Sequence, residues 1–115
     1  MGLLGGLSGK QIDAFAKELA DSVAKRYPPS LDRDKARMVS VNRITRVLED
    51  VFDKAVEFNR EHRLGVYKKA RLGNSFKWEL SELGYSAKFV EVATEGLVVY
   101  LTRQPGVRGG SVKKG

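Results

Sequence analysis

Cysteine is absent from this chain of 115 residues. That removes disulfides, thiolate zinc sites, iron–sulfur clusters and a cysteine nucleophile together. Histidine occurs once, as His62. A metal site around it would rest on carboxylates alone, and a general base there would lack an evident nucleophile. Long apolar runs are missing too: the longest, Leu97 to Leu101, falls far short of the roughly 20 residues that span a bilayer. The first residues, Met1-Gly-Leu-Leu, carry no cation ahead of an apolar stretch that is too short for a secretory h-region. Gly6 stands where an N-myristoylation pattern needs Ser or Thr. The expectation is a small basic cytoplasmic protein with no membrane contact and no cofactor.

What is abundant is positive charge, and it is unevenly spread. The formal net charge is +7. Residues 60–79 hold Arg60, Arg63, Lys68, Lys69, Arg71 and Lys77 against Glu61 and Glu79. Residues 103–115 add Arg103, Arg108, Lys113 and Lys114 with no acid. Segregated charge of one sign makes a field that attracts polyanions. The rest of the composition, 42% hydrophobic and 30% charged, is that of one ordinary folded domain.

Glycine marks the two ends: Gly2, Gly5, Gly6 and Gly9, then Gly106, Gly109, Gly110 and Gly115. Gly-rich polar chain buries too little to offset its ordering entropy. The sequence therefore predicts a flexible N-terminus over 1–7, a single globular domain over 8–102 and a disordered basic tail over 103–115.

Within the domain, Ser8 with Gln11 forms a capping-box pattern. An amphipathic stripe follows: Ile12, Phe15, Ala16, Leu19, Ala20, Val23 and Tyr27. Pro28-Pro29 stops that helix. A charged connector from Asp32 to Arg37 leads to a longer helix from about Ser40 to His62, with Gly65 as its terminator. Val66 to Leu72 reads as one or two turns, broken at Gly73-Asn74. Asn74 or Ser75 then caps a short helix to Leu83, which Gly84 stops. Phe76, Leu80 and Leu83, at i, i+4 and i+7, face its core side. Trp78, about 200° round the axis from both Phe76 and Leu80, faces away.

The last ordered stretch is ambiguous. Leu97-Val-Val-Tyr-Leu-Thr102 reads as a strand by its β-branched and aromatic content. Phe89 to Thr94 fits a short helix capped by Ser86 and stopped by Gly96, or a second strand joined through Glu95-Gly96. A lone strand needs a partner for its backbone groups, which favours the hairpin. The expected fold class is therefore α+β: helix, long helix, short helix and C-terminal β-hairpin. In order of elements alone this resembles the winged-helix proteins, which would imply DNA binding by a groove-seated helix beside a hairpin. The turn spacing departs from that pattern, because Lys69 rather than a small residue lies four before Gly73.

Other motifs fail on inspection. Gly5-Gly6-Leu7-Ser8-Gly9-Lys10 lacks the first glycine and the final Ser or Thr of a phosphate-binding loop. Glu49, Asp50 and Asp53 form an acidic patch that a solvated helix face explains without a metal. No paired carboxylates in apolar surroundings point to acid–base chemistry, so an enzyme is not expected. Cations interleaved with rings are what nucleic acid binding uses, phosphates on the cations and bases on the rings. The candidate contacts are Arg63, Lys68, Lys69, Arg71, Lys77, Arg103, Arg108, Lys113 and Lys114, with Trp78 as the stacking ring. The alternative is a protein-interaction adaptor or homodimeric module.

Overall fold

A computed structural model describes residues 7–33 and 40–103. Five helices account for nearly all of them: α1 (Gly9–Arg26), α2 (Pro29–Arg33), α3 (Val41–His62), α4 (Val66–Leu83) and α5 (Ala87–Arg103). No strand occurs among the described residues. The fold is a helical bundle, and the expected α+β class with its C-terminal hairpin is wrong. The winged-helix resemblance falls with the hairpin. The N-terminal glycines up to residue 6, most of the charged connector and the tail beyond Arg103 lie outside the described residues.

Two glycines explain the error. Glycine ordinarily interrupts a helix, yet both are interior to helices where a neighbouring helix comes close. A Cβ on Gly73 of α4 would stand 3.1 Å from Val98 Cγ2 of α5. One on Gly96 of α5 would stand 2.7 Å from the Phe52 ring of α3. The expected break at Gly73-Asn74 and turn at Glu95-Gly96 are packing slots in continuous helices. Burial separates the two readings of residues 97–101. A strand would bury Leu97, Val99 and Leu101 together, yet Leu97 and Leu101 are buried while Val99 is 45% exposed. The observed spacing is four, that of a helix. Ser86 begins it, its Oγ accepting the Phe89 N–H at 3.2 Å. Tertiary packing thus overrides the β preference of the two valines there, Val98 and Val99, which costs only a few tenths of a kcal/mol each.

Elsewhere most local signals hold, although Leu83, expected on the core side of its helix, is 36% exposed. Ser8 and Gln11 make the full capping box, and Ser40 caps α3 by accepting the Arg43 N–H. On α1, Phe15 stacks on Phe58 of α3, Ser22 accepts from Lys54 and Arg26 pairs with Asp50. Numbers rise on one helix as they fall on the other, so α1 and α3 are antiparallel. Asp13 meets Arg71 of α4, and the Tyr85 hydroxyl beyond α4 donates to the Tyr27 carbonyl beyond α1. Hence α1 and α4 are parallel. Helix α5 returns antiparallel to α4, since the start of α4 (Val66) and the end of α5 (Leu101) line one groove. Both α3 and α4 pack on α1 and on α5, so the bundle runs round as α1, α3, α5, α4. The three residues Arg63 to Gly65 therefore cross its diagonal. Leu19, Phe76, Leu80 and Leu97 are completely buried at the centre.

Candidate nucleic-acid interface

These pairings sort the helix ends into two poles. One pole gathers the start of α1, the end of α3, the start of α4 and the end of α5. Lys10, Arg60, Arg63, Lys68, Lys69 and Arg103 stand there, against Glu57 and Glu61. Arg60 pairs with Glu57 at 3.1 Å. The other five cations form no ion pair among the described residues. At the opposite pole Lys25, Arg26, Arg43, Arg46 and Lys88 are matched by Asp32, Glu49, Asp50, Glu82 and Glu91.

The local backbone explains how Arg63 reaches the pole. It closes α3 in the left-handed conformation, φ 51°, a role expected for Gly65. Its N–H bonds the Asn59 carbonyl at 2.6 Å, and the buried Asn59 side chain accepts the Leu64 N–H at 3.1 Å. Leu64 is thereby tucked into the core, and the Arg63 side chain is turned out to solvent. Gly65 then starts α4 with no side-chain cap. The N–H groups of that first turn have no helical partner and carry the positive end of the helix dipole. They add to the attraction that Lys68 and Lys69 exert. Lys69 is partly buried beside an apolar groove of about 340 Å³ with Val66, Ala70, Val98 and Leu101. Its stem lies along that groove while its ammonium stays in water.

Arg71 is differently employed. Its Nε and Nη2 donate to the two Asp13 carboxylate oxygens at 3.2 and 2.9 Å, and Ser75 Oγ donates to the same carboxylate at 2.5 Å. Those bonds, from Arg71 first and Ser75 second, hold the Asp13 carboxyl below its ordinary range. Asp13 in turn raises the pKa of the guanidinium. The fork lies so close over Gly9 that a Cβ there would be 2.5 Å from its central carbon. Arg71 therefore fastens α4 to α1 and is not a free phosphate contact.

Lys77 and Trp78 stand apart from the pole. Lys77 is about 12 Å further along α4 than Lys69 and half a turn out of phase with Lys68. It shares a groove with Ser81, Glu91 and Glu95. Trp78 is 61% exposed, but its helix neighbours include Glu79 and Glu82. Arg108, Lys113 and Lys114 lie outside the described residues; Arg103 is the last described residue before them. Sequence reasoning passed over Lys10 and did not include Arg60, because only the fold brings the first turn of α1 to the end of α3.

Among the described residues no three His, Asp or Glu side chains are grouped to hold a metal ion. No described helix is long and apolar enough to cross a membrane. The chain matches no protein-family model, no curated protein and no solved structure.

Proposed function

We propose that the protein binds nucleic acid through its phosphates at the basic pole. Arg63, Lys68, Lys69 and Arg103 are the principal contacts, continued by Arg108, Lys113 and Lys114. The observation that supports this is the convergence of cations from four helix ends, with no acid among the described residues paired to Arg63, Lys68, Lys69 or Arg103. Lys10 joins them, and Arg60 is partly offset by Glu57. Tyr67, exposed beside Lys68, is a ring within reach of the pole, but the cations address the phosphate backbone, which carries no sequence information. Arg71, Lys77 and Trp78 have no part in it. A cysteine-free composition supports a reducing, cytoplasmic setting.

Titration of a generic DNA or RNA duplex by fluorescence anisotropy tests the reading. Four phosphate contacts give a slope near −3.6 in log affinity against log salt, about 0.9 per contact. Affinity then falls about 150-fold between 50 and 200 mM salt. Replacing Lys68 and Lys69 by Gln reduces the slope by about 1.8. Absence of binding at 50 mM salt, or a slope indifferent to those replacements, refutes it.

A further inference from the structure

We propose that an open pocket beside the start of α3 binds the terminal phosphate of a small molecule, gripped by Arg26, Arg43 and Arg46. These three guanidiniums, one from α1 and two from α3, line a concavity of about 480 Å³ together with Ser40 and Asn42. It lies at the pole opposite the nucleic acid surface and does not depend on that surface.

The charges of this pole are balanced in number but not in arrangement. Arg43 and Arg46 are three residues apart, about 60° round the helix axis and about 4.5 Å along it. Like charges so placed repel one another. Both residues are exposed, and neither forms an ion pair among the described residues. Arg26 reaches the same pocket from the end of α1, where its Nη1 donates to Asp50 Oδ2 at 2.5 Å. That bond uses one of the five N–H donors of the guanidinium and holds the side chain in place. Asp50 itself stays outside the lining, as does Glu49, one turn beyond Arg46.

The site is made by side chains rather than by the helix end. Ser40 Oγ already accepts the Arg43 backbone N–H at 3.1 Å, so the first turn of α3 is capped. The Ser40 hydroxyl proton and the Asn42 amide add neutral donors to the arginines.

The chemistry of the ligand follows from this set. Three arginines against one carboxylate, Asp50, leave a local excess of two positive charges. A phosphate monoester carries about −1.5 to −2 at pH 7 and matches that excess. The internal phosphates of a nucleic acid strand carry one charge each and match it less well. Every cation in the lining is an arginine, whose planar fork bonds two phosphate oxygens at once, as an ammonium cannot. No large apolar side chain lines the pocket, so the phosphate is held while the rest of the molecule stays in solvent.

Titration of the isotope-labelled full chain with methyl phosphate, followed by NMR at about pH 7 and constant ionic strength, tests the proposal. The expected result is saturable shifts of the Arg43 and Arg46 Nε–H signals and of the Asn42 amide, with a dissociation constant on the order of a millimolar. Dimethyl phosphate, which has one charge, binds at least about tenfold more weakly. Arg43→Gln and Arg46→Gln each weaken methyl phosphate at least about tenfold, the worth of one hydrogen bond to a charged group. Circular dichroism of both variants stays that of the wild type, because neither side chain is in the core. Lys68→Gln combined with Lys69→Gln, at the other pole, leaves methyl phosphate binding unchanged. Shifts that do not saturate by about 50 mM, equal binding of the two esters, or indifference to both arginine substitutions overturns the proposal. So does saturation by a 5′-phosphorylated oligonucleotide alone, which would give the pocket to nucleic acid.

Discussion

Gly73 and Gly96 should respond in opposite directions to the same substitution. Replacing a mid-helix glycine by alanine ordinarily adds about 1 kcal/mol to stability, since the backbone has less freedom to lose. At Gly73 the new methyl meets a single atom, Val98 Cγ2, at 3.1 Å. Val98 is 39% exposed and can shift toward solvent. Gly73→Ala is therefore expected to stabilise by about 0.5–1 kcal/mol, raising Tm by about 2–8 °C for a domain of this size. At Gly96 the methyl meets two ring carbons of Phe52, at 2.7 and 2.9 Å. Phe52 is buried and lies against Tyr100, ring centroids 5.0 Å apart. It has nowhere to retreat, and overpacking costs about 1–3 kcal/mol. Net destabilisation by Gly96→Ala is about 1 kcal/mol, so the two variants differ by roughly 2 kcal/mol. Thermal and urea unfolding followed by circular dichroism measure both. Phe52→Leu supplies the control: combined with Gly96→Ala it should cost less than the two single effects added. Equal shifts of the same sign at Gly73 and Gly96, or strict additivity with Phe52→Leu, would refute the packing-slot explanation of this bundle.

Other consequences are equally measurable. Arg63→Gly relieves a left-handed conformation that glycine adopts freely; it should leave stability unchanged or raise it by up to about 1 kcal/mol, while nucleic acid binding weakens. Tyr85→Phe deprives the Tyr27 carbonyl of its buried donor and should cost about 1–2 kcal/mol in urea unfolding. Burial, with help from Asp32, pushes the Tyr27 hydroxyl up to about 12 and raises that of Tyr85. The folded state then keeps protons that the unfolded chain releases above about pH 10, so stability should fall as pH rises from there toward 12. Asp13 behaves oppositely. Its depressed carboxyl contributes stability that is present above the unfolded value near 4 and is lost as pH falls through the folded one. Because Asp13 is substantially exposed, Asp13→Asn should cost less than about 1 kcal/mol at neutral pH and flatten the acid limb of the stability profile.

The parts of the fold that were legible are those written in neighbouring residues. Ser8 with Gln11 started α1, Pro28-Pro29 ended it and Ser40 capped α3, because a cap or a stop acts within one turn. The outward direction of Trp78 also followed from helical phase alone. Helix α5 and the unity of α4 were not legible, because they depend on which distant residue a glycine faces. Nothing near Gly96 announces that Phe52, 44 positions earlier, needs the missing methyl. The charged groups divide in the same way. The density of cations in 60–79 is a local property, but the engagement of Arg71 by Asp13 spans 58 residues. That Arg63 and Arg103 share one pole, apart from Lys77, comes from the order of helices round the bundle.

That order has a practical consequence for anyone who labels or tethers the molecule. Helix α1 sets out from the cation-rich pole and helix α5 comes back to it, so a fluorophore or fusion partner joined just outside either helix would crowd the charged groups it was meant to report on. The bend at Gly84, between α4 and α5, lies at the far pole. A tag spliced there would keep clear of them.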